Sequence, residues 1–297
     1  MALRAANQPP SRAPATHRVM RFRAAPFFLL VLGWTWACHI PFALAGWSVN
    51  DFPQSALILL GGLGPPVGAA VFIVRRHNPA YAQEYLARLT SFRRVSARRW
   101  LAAVGLPFLV VIGGVLLAGL LPRGAGWPLV RLDMDVVAGI TPFYVLLMLL
   151  APILEEVAWR GYGQDALQSR FRPVTASLIL GFIWWLWHLP LFFMADTYQS
   201  SLGVGTPAFW DFAVWTVATT FVMTWLYNGT SGSVLAAVVY HFVLNLANEM
   251  VATGYAADFA RTSVQVALGL FLVVLLPRLR WGGGGATGSD VWRPGVG

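Results

Sequence analysis

Three short groups of polar residues interrupt apolar stretches in the second half of the chain, and each could do chemistry. The first is Glu155-Glu156-Val157-Ala158-Trp159-Arg160. At about 100° per residue on an α-helix, Glu156 and Arg160 stand at i and i+4 and share a face, while Glu155 points elsewhere. That geometry divides the labour: Glu156 is held ionised by Arg160, and Glu155 is free to take a proton from water as general base. The bland alternative is a helix end that has reached the membrane interface, where charge clusters are ordinary. The second group is Trp184-Trp185-Leu186-Trp187-His188-Leu189-Pro190. Taken alone, a histidine among tryptophans reads as an interfacial packing residue of an aromatic belt. The third is His241-Phe242-Val243-Leu244-Asn245. His241 and Asn245, again at i and i+4, offer two hydrogen-bond donors to one point, and the alternative is interhelical bonding worth on average about 0.6 kcal/mol. His39 also falls in an apolar stretch, but with no polar residue at helical spacing it reads as structural.

Together the three groups supply two carboxylates, an arginine, two histidines and an asparagine. That set suffices for a hydrolytic centre in which a base activates water and donors stabilise the oxyanion that forms. Nothing in the chain supports a Ser-His-Asp triad or an HExxH zinc helix. A transporter would more typically show two pseudo-symmetric halves with interrupted helices, whereas here the chemistry is confined to one half.

The elements that must position these residues follow from composition. Of the 297 residues 57% are hydrophobic and only 11% charged, against about 25% charged in an ordinary soluble domain. That excludes a soluble enzyme, and there is too much apolar surface for a disordered chain. Apolar runs fall near 26–46, 55–74, 101–121, 136–158, 174–194, 210–227, 233–251 and 263–277, each close to the length of about 20 residues that spans a bilayer. The expectation is an all-α fold: a polytopic bundle of about eight transmembrane helices with its active site inside the membrane. Residues 1–25 read as a flexible basic tail, 26–281 as the membrane domain with a catalytic core at 142–251, and 282–297 as a flexible Gly-rich tail.

The formal charge of +9 comes from 21 arginines without a lysine. They cluster at the ends of the apolar runs and not on one folded face, so a nucleic-acid partner is not expected. Eighteen of the 21 lie in the two terminal tails and every second connection, which by the positive-inside rule puts both termini in the cytoplasm of a multi-pass protein of the inner cell membrane. The lone Cys38 excludes an internal disulfide and a multi-cysteine metal site.

In type and order, the three groups resemble the CAAX-protease and bacteriocin-processing (Abi) family of intramembrane proteases, which includes type II CAAX prenyl endopeptidases. That family carries E-E-x-x-x-R, F-x-x-x-H and H-x-x-x-N, each on its own transmembrane helix. Here they are Glu155-Glu156 with Arg160 and then Gly161, His188 followed by Leu189-Pro190, and His241 with Asn245. Asn228-Gly229-Thr230-Ser231-Gly232-Ser233 also looks like the family's approach to its third motif. One departure is Trp184, four before His188, where the family usually has phenylalanine; altered packing is expected there, not lost chemistry. The resemblance implies that Glu155 and His188 position and activate the attacking water. It also implies that His241 and Asn245 form the oxyanion hole, with Glu156 and Arg160 in support. It leaves two mechanisms. The preferred one is metal-free and needs no cofactor; in the other, Zn2+ is held by Glu155, His188 and His241, a ligand set known from catalytic zinc sites.

The substrate implied is a membrane-associated protein or peptide, either prenylated in the CAAX manner or a processed bacterial peptide. The rival readings are a non-enzymatic scaffold or bacteriocin-immunity protein of the same fold and, behind it, a small-solute transporter. A geometric tension accompanies the assignment. The run limits put Glu155 roughly 15 Å nearer the cytoplasm than His188, at 1.5 Å per residue. Both must reach one water, so a shift of one helix relative to the other is predicted.

Overall fold

The structure, a computed structural model, describes residues 22–120, 131–132, 141–252 and 255–275. All eight apolar runs are helical within these limits. The first forms α1 (Ala24–Leu44) and the second α2 (Ala56–Gly62) and α3 (Gly64–Val74). Then come α4 (Pro79–Thr90) and α5 (Ala97–Gly119), followed by α6 (Pro142–Ala158), α7 (Gln164–Gln168) and α8 (Pro173–His188). The series ends with α9 (Tyr198–Leu202), α10 (Pro207–Gly229), α11 (Val234–Glu249) and α12 (Tyr255–Leu275). Among the described residues, five stretches are long and apolar enough to cross a membrane: Ala24–Leu44, Ala56–Val74, Ala97–Gly119, Pro173–Phe193 and Ala257–Leu275. The all-α, polytopic expectation is met. The strand content of the described residues is one two-residue antiparallel pairing of β1 (Arg131–Leu132) with β2 (Val251–Ala252).

Several boundaries differ from the sequence reading, each for a local reason. The second run bends at Leu63, where Pro65 and Pro66 open the first turn of α3 and withhold two backbone donors. The fourth run was expected to close at Ala158; instead the chain continues through a π-helical turn, Trp159–Gly163, directly into α7. The amphipathic α4 was not expected at all. Asn78 caps it by accepting from the Tyr81 N–H at 3.0 Å, and Pro79 sits where the missing donor costs nothing. The expected N-terminal tail lies outside the described residues except for its end, where Phe22 packs edge-on against Tyr81. The expected Gly-rich C-terminal tail lies wholly outside them, as do residues 136–140 of the fourth run.

The bundle turns apolar side chains outward, and the polar groups buried in its largely apolar interior must find partners inside the protein. Leu29, Leu101, Ile112, Phe182, Leu270 and Phe271 are exposed, whereas Glu156, Arg160, Gln164, Thr220 and Gln265 are fully buried. Helix α10 packs between α8 and α12, α5 lies along α12 and α11, and α6 runs between α3 and α11. Close approach depends on small residues. A Cβ on Gly181 would stand 2.8 Å from the Val217 Cα, and one on Gly114 2.7 Å from the Arg261 Cα. Substitution at either would push the helices apart.

Candidate active site

Pro152 breaks the hydrogen-bond ladder of α6 one turn before Glu155. The π turn that follows widens the helix just beyond Glu156. π turns are rare and concentrate at functional sites, because they re-aim side chains at the cost of helix geometry. Two carbonyls in this irregular stretch are taken up by α4. The Tyr85 hydroxyl donates to the Val157 carbonyl at 2.8 Å, and Arg88 Nη2 donates to the Gly161 carbonyl at 3.3 Å. Only glycine fits at 161, since a Cβ there would lie 2.6 Å from the Tyr85 ring.

Glu155, Glu156 and Arg160 are all buried, Arg160 and Glu156 completely. The interfacial helix-end reading of this cluster is therefore overturned, and Arg160 belongs to the interior and not to a cytoplasmic connection. The i,i+4 pair forms as its spacing requires: Arg160 Nη1 donates to Glu156 Oε1 at 3.1 Å and Oε2 at 3.0 Å. Glu156 Oε1 also accepts from His241 Nδ1 at 3.0 Å, tying α6 to α11. Glu155 is not without a partner. The Trp184 indole Nε1–H donates to its Oε2 at 2.6 Å, which ties α6 to α8. His188 Nδ1 in turn donates to the Trp184 carbonyl at 2.8 Å. The Trp184 ring meets that of His241 edge-on, with centroids 5.3 Å apart, and the Arg160 guanidinium lies 5.2 Å from its centroid.

The predicted shift between the helices is thus real, and its cause is the continuation of α6. Glu155 lies thirteen residues above the end of α7 at Gln168, about 20 Å at 1.5 Å per residue. His188 lies fifteen residues above the start of α8 at Pro173, about 22 Å on the same count. The two segments meet at one turn, so the side chains reach the same level. Asn245 stands one turn beyond His241 on α11, half-buried, and its side chain makes no hydrogen bond among the described residues. His39 is buried in α1, where Nε2 meets the Ile58 carbonyl at 3.2 Å. That is the structural role read from the sequence.

The hydrogen-bond partners assign the histidine tautomers. A carboxylate faces Nδ1 of His241 and a carbonyl faces Nδ1 of His188, and both are acceptors, so each Nδ1 carries the proton. In both rings Nε2 is left for chemistry. This orientation is also the one in which histidine ligates a metal. However, among the described residues no three His, Cys, Asp or Glu side chains come together as a metal-binding group. The set considered for zinc, Glu155, His188 and His241, does not fit that ion as arranged, and no step below runs through it.

A second buried cluster, missed in the sequence, centres on Asp165 in the first turn of α7. Asp165 Oδ2 accepts from Arg88 Nη1 at 2.8 Å and from the Tyr81 hydroxyl at 3.0 Å, and Oδ1 accepts from the Tyr227 hydroxyl at 2.6 Å. Burial, and then the Asp165 charge, push the Tyr81 phenol well above its ordinary range, so it remains a neutral donor. Nearby, Gln168 and Asn228 pair their amides reciprocally at 3.0 and 2.9 Å. The available signal was Arg88 at i+7 from Tyr81, on one face of an otherwise polar segment.

Residues 137–247 match the Rce1-like family, described as type II CAAX prenyl endopeptidase Rce1-like. The chain is also 29% identical over 224 residues to CAAX prenyl protease 2 of Methanococcus maripaludis, covering 73% of this chain and 79% of that protein. The matched segment contains all six residues singled out above, on α6, the π turn, α8 and α11. By both comparisons the chain is similar to CAAX-type prenyl endopeptidases, and residues 137–247 carry the likeness to the Rce1-like family.

Proposed function

We propose that the protein is an intramembrane endopeptidase in which Glu155 activates a water against a peptide bond of a membrane-associated substrate. One observation carries this reading: the two adjacent glutamates are treated differently. Glu156 is closed in by Arg160 and His241, whereas Glu155 has a single bond to Oε2 and leaves Oε1 without a partner among the described residues. A base needs an oxygen with room for a proton.

In the mechanism Glu155 Oε1 takes a proton from water as the water oxygen attacks the scissile carbonyl carbon. His188 Nε2, an acceptor in the tautomer set by the Trp184 carbonyl, holds the water's other hydrogen. The carbonyl oxygen becomes an oxyanion and is met by the Asn245 amide and by His241 Nε2. With Nδ1 already donating to Glu156, His241 serves as a second donor in its imidazolium form, whose charge the Glu156 carboxylate balances. Collapse of the tetrahedral intermediate breaks the C–N bond, and the proton on Glu155 passes to the leaving amine. Water is consumed, and a carboxylic acid and an amine are released. Removing an oxyanion donor of this kind costs about 10²–10³ in kcat.

The substrate class proposed is a CAAX-type protein or peptide, prenylated near its C-terminus, in keeping with the name of the Methanococcus maripaludis relative. The membrane is the inner cell membrane, with both termini, α4 and the α7–α8 turn on the cytoplasmic side, as the arginine distribution supports. The test is cleavage of a prenylated CAAX reporter peptide by purified wild type and Glu155→Gln, each with and without a zinc chelator. The expected result is cleavage by wild type alone, insensitive to the chelator. Loss of cleavage on chelation would restore the zinc mechanism. No cleavage of prenylated or unprenylated peptides by wild type would favour the scaffold or immunity reading.

A further inference from the structure

Trp184 touches four of the six site residues. Its indole N–H is bonded to Glu155 Oε2 at 2.6 Å and its carbonyl to His188 Nδ1 at 2.8 Å. The faces and edges of its ring pack against His241, at 5.3 Å between centroids, and against the Arg160 guanidinium, at 5.2 Å. The residue is buried, so the N–H has no water to fall back on. The sequence pattern records only an aromatic ring here, and phenylalanine, usual at this position in the resembling family, would keep the ring contacts. It would not supply the N–H. The backbone carbonyl that holds His188 would also survive the change, so the side-chain donor acts on Glu155 alone.

We infer that Trp184 is a positioning residue that pins one oxygen of Glu155 through its indole N–H and so fixes which oxygen takes the proton from water. A carboxylate on a flexible stem can present either oxygen by rotating its last torsion. A charge-assisted bond to Oε2 holds that torsion and leaves Oε1 as the basic atom. Because the same residue's carbonyl fixes the ring of His188, the two groups that would share the water take their geometry from one point on α8. This rests on the reading of Glu155 as the base.

The test separates ring from donor. Trp184→Phe removes the N–H and trims the ring. Site-specific incorporation of 3-benzothienylalanine at 184 keeps the bicyclic shape and replaces the N–H by sulfur. Both are compared with wild type for kcat and KM on the reporter peptide and for melting in detergent, with Glu155→Gln alongside. The expected result is a kcat lowered about tenfold in both, as for a misaligned catalytic group, with KM and melting close to wild type. If the phenylalanine variant does not fold, the benzothienyl variant decides. A benzothienyl protein with kcat unchanged or raised overturns the inference, as does a loss expressed in KM alone, which would mark a packing role. Should Glu155→Gln remain active, the base assignment itself falls. Should it be inactive while both Trp184 variants keep wild-type kcat, only the positioning role falls.

Discussion

One continuous helical segment, from Glu155 through the π turn to Gln168, carries two buried carboxylate clusters, and they are built on opposite plans. Around Asp165 both oxygens are engaged: Tyr227 donates to one, and Arg88 and Tyr81 to the other. Around Glu155 only one oxygen is bonded, by a single indole N–H, and the neighbouring histidines each keep a nitrogen in reserve. Burying a charge is costly unless it is paired and fully hydrogen-bonded, so a saturated cluster is one that holds structure together. A cluster with open positions keeps groups available for chemistry. The comparison distinguishes the two clusters without reference to any relative, although each buries a carboxylate and an arginine. The π turn joins them physically, since α4 reaches across from the Asp165 cluster to bond the Val157 and Gly161 carbonyls beside Glu155 and Glu156.

The sharpest way to break this division is to unbalance the saturated cluster. Arg88→Met leaves Asp165 buried beside two neutral donors, and removing one partner of a buried pair costs about 3–5 kcal/mol. The expected outcome is a large fall in the melting midpoint in detergent, with turnover per folded molecule near that of wild type. A specific loss of kcat with unchanged melting would place Arg88 in the chemistry instead. The converse change, Asn245→Ala in the open cluster, is expected to lower kcat by about 10²–10³ while melting stays near wild type. If melting falls and kcat holds, Asn245 is interhelical glue. Least disruptive is Tyr85→Phe, which leaves the Val157 carbonyl without its donor. A single neutral hydrogen bond of this kind is worth about 1 kcal/mol, so a small drop in melting and a modest change in rate are expected. An unchanged protein would mean that the π turn does not need the support of α4.

What could be read from the sequence was whatever lies within one helix. The Glu156–Arg160 pair and the shared face of His241 and Asn245 follow from the 3.6-residue repeat alone, and the apolar runs gave the bundle. The Asp165 cluster was illegible because its members come from α4, α7 and α10, far apart in the chain. Moreover, the Gly161-Tyr162-Gly163-Gln164-Asp165 stretch looks like a polar turn and not like buried helix. The same misreading missed the continuation of α6 through the π turn into α7 and produced the apparent mismatch in depth between Glu155 and His188. Trp184 was legible as an aromatic ring but not as a donor, since pattern records ring type and not where an N–H points.

The central claim is that Glu155 does chemistry and Asp165 holds structure. The most direct test is to measure reporter cleavage and melting side by side for Glu155→Gln and Asp165→Asn, two changes that each remove one negative charge and little volume. The account predicts that Glu155→Gln abolishes cleavage with its melting intact, and that Asp165→Asn melts early while its folded fraction still cleaves. Retained cleavage by Glu155→Gln, or a stable but inactive Asp165→Asn, would contradict it.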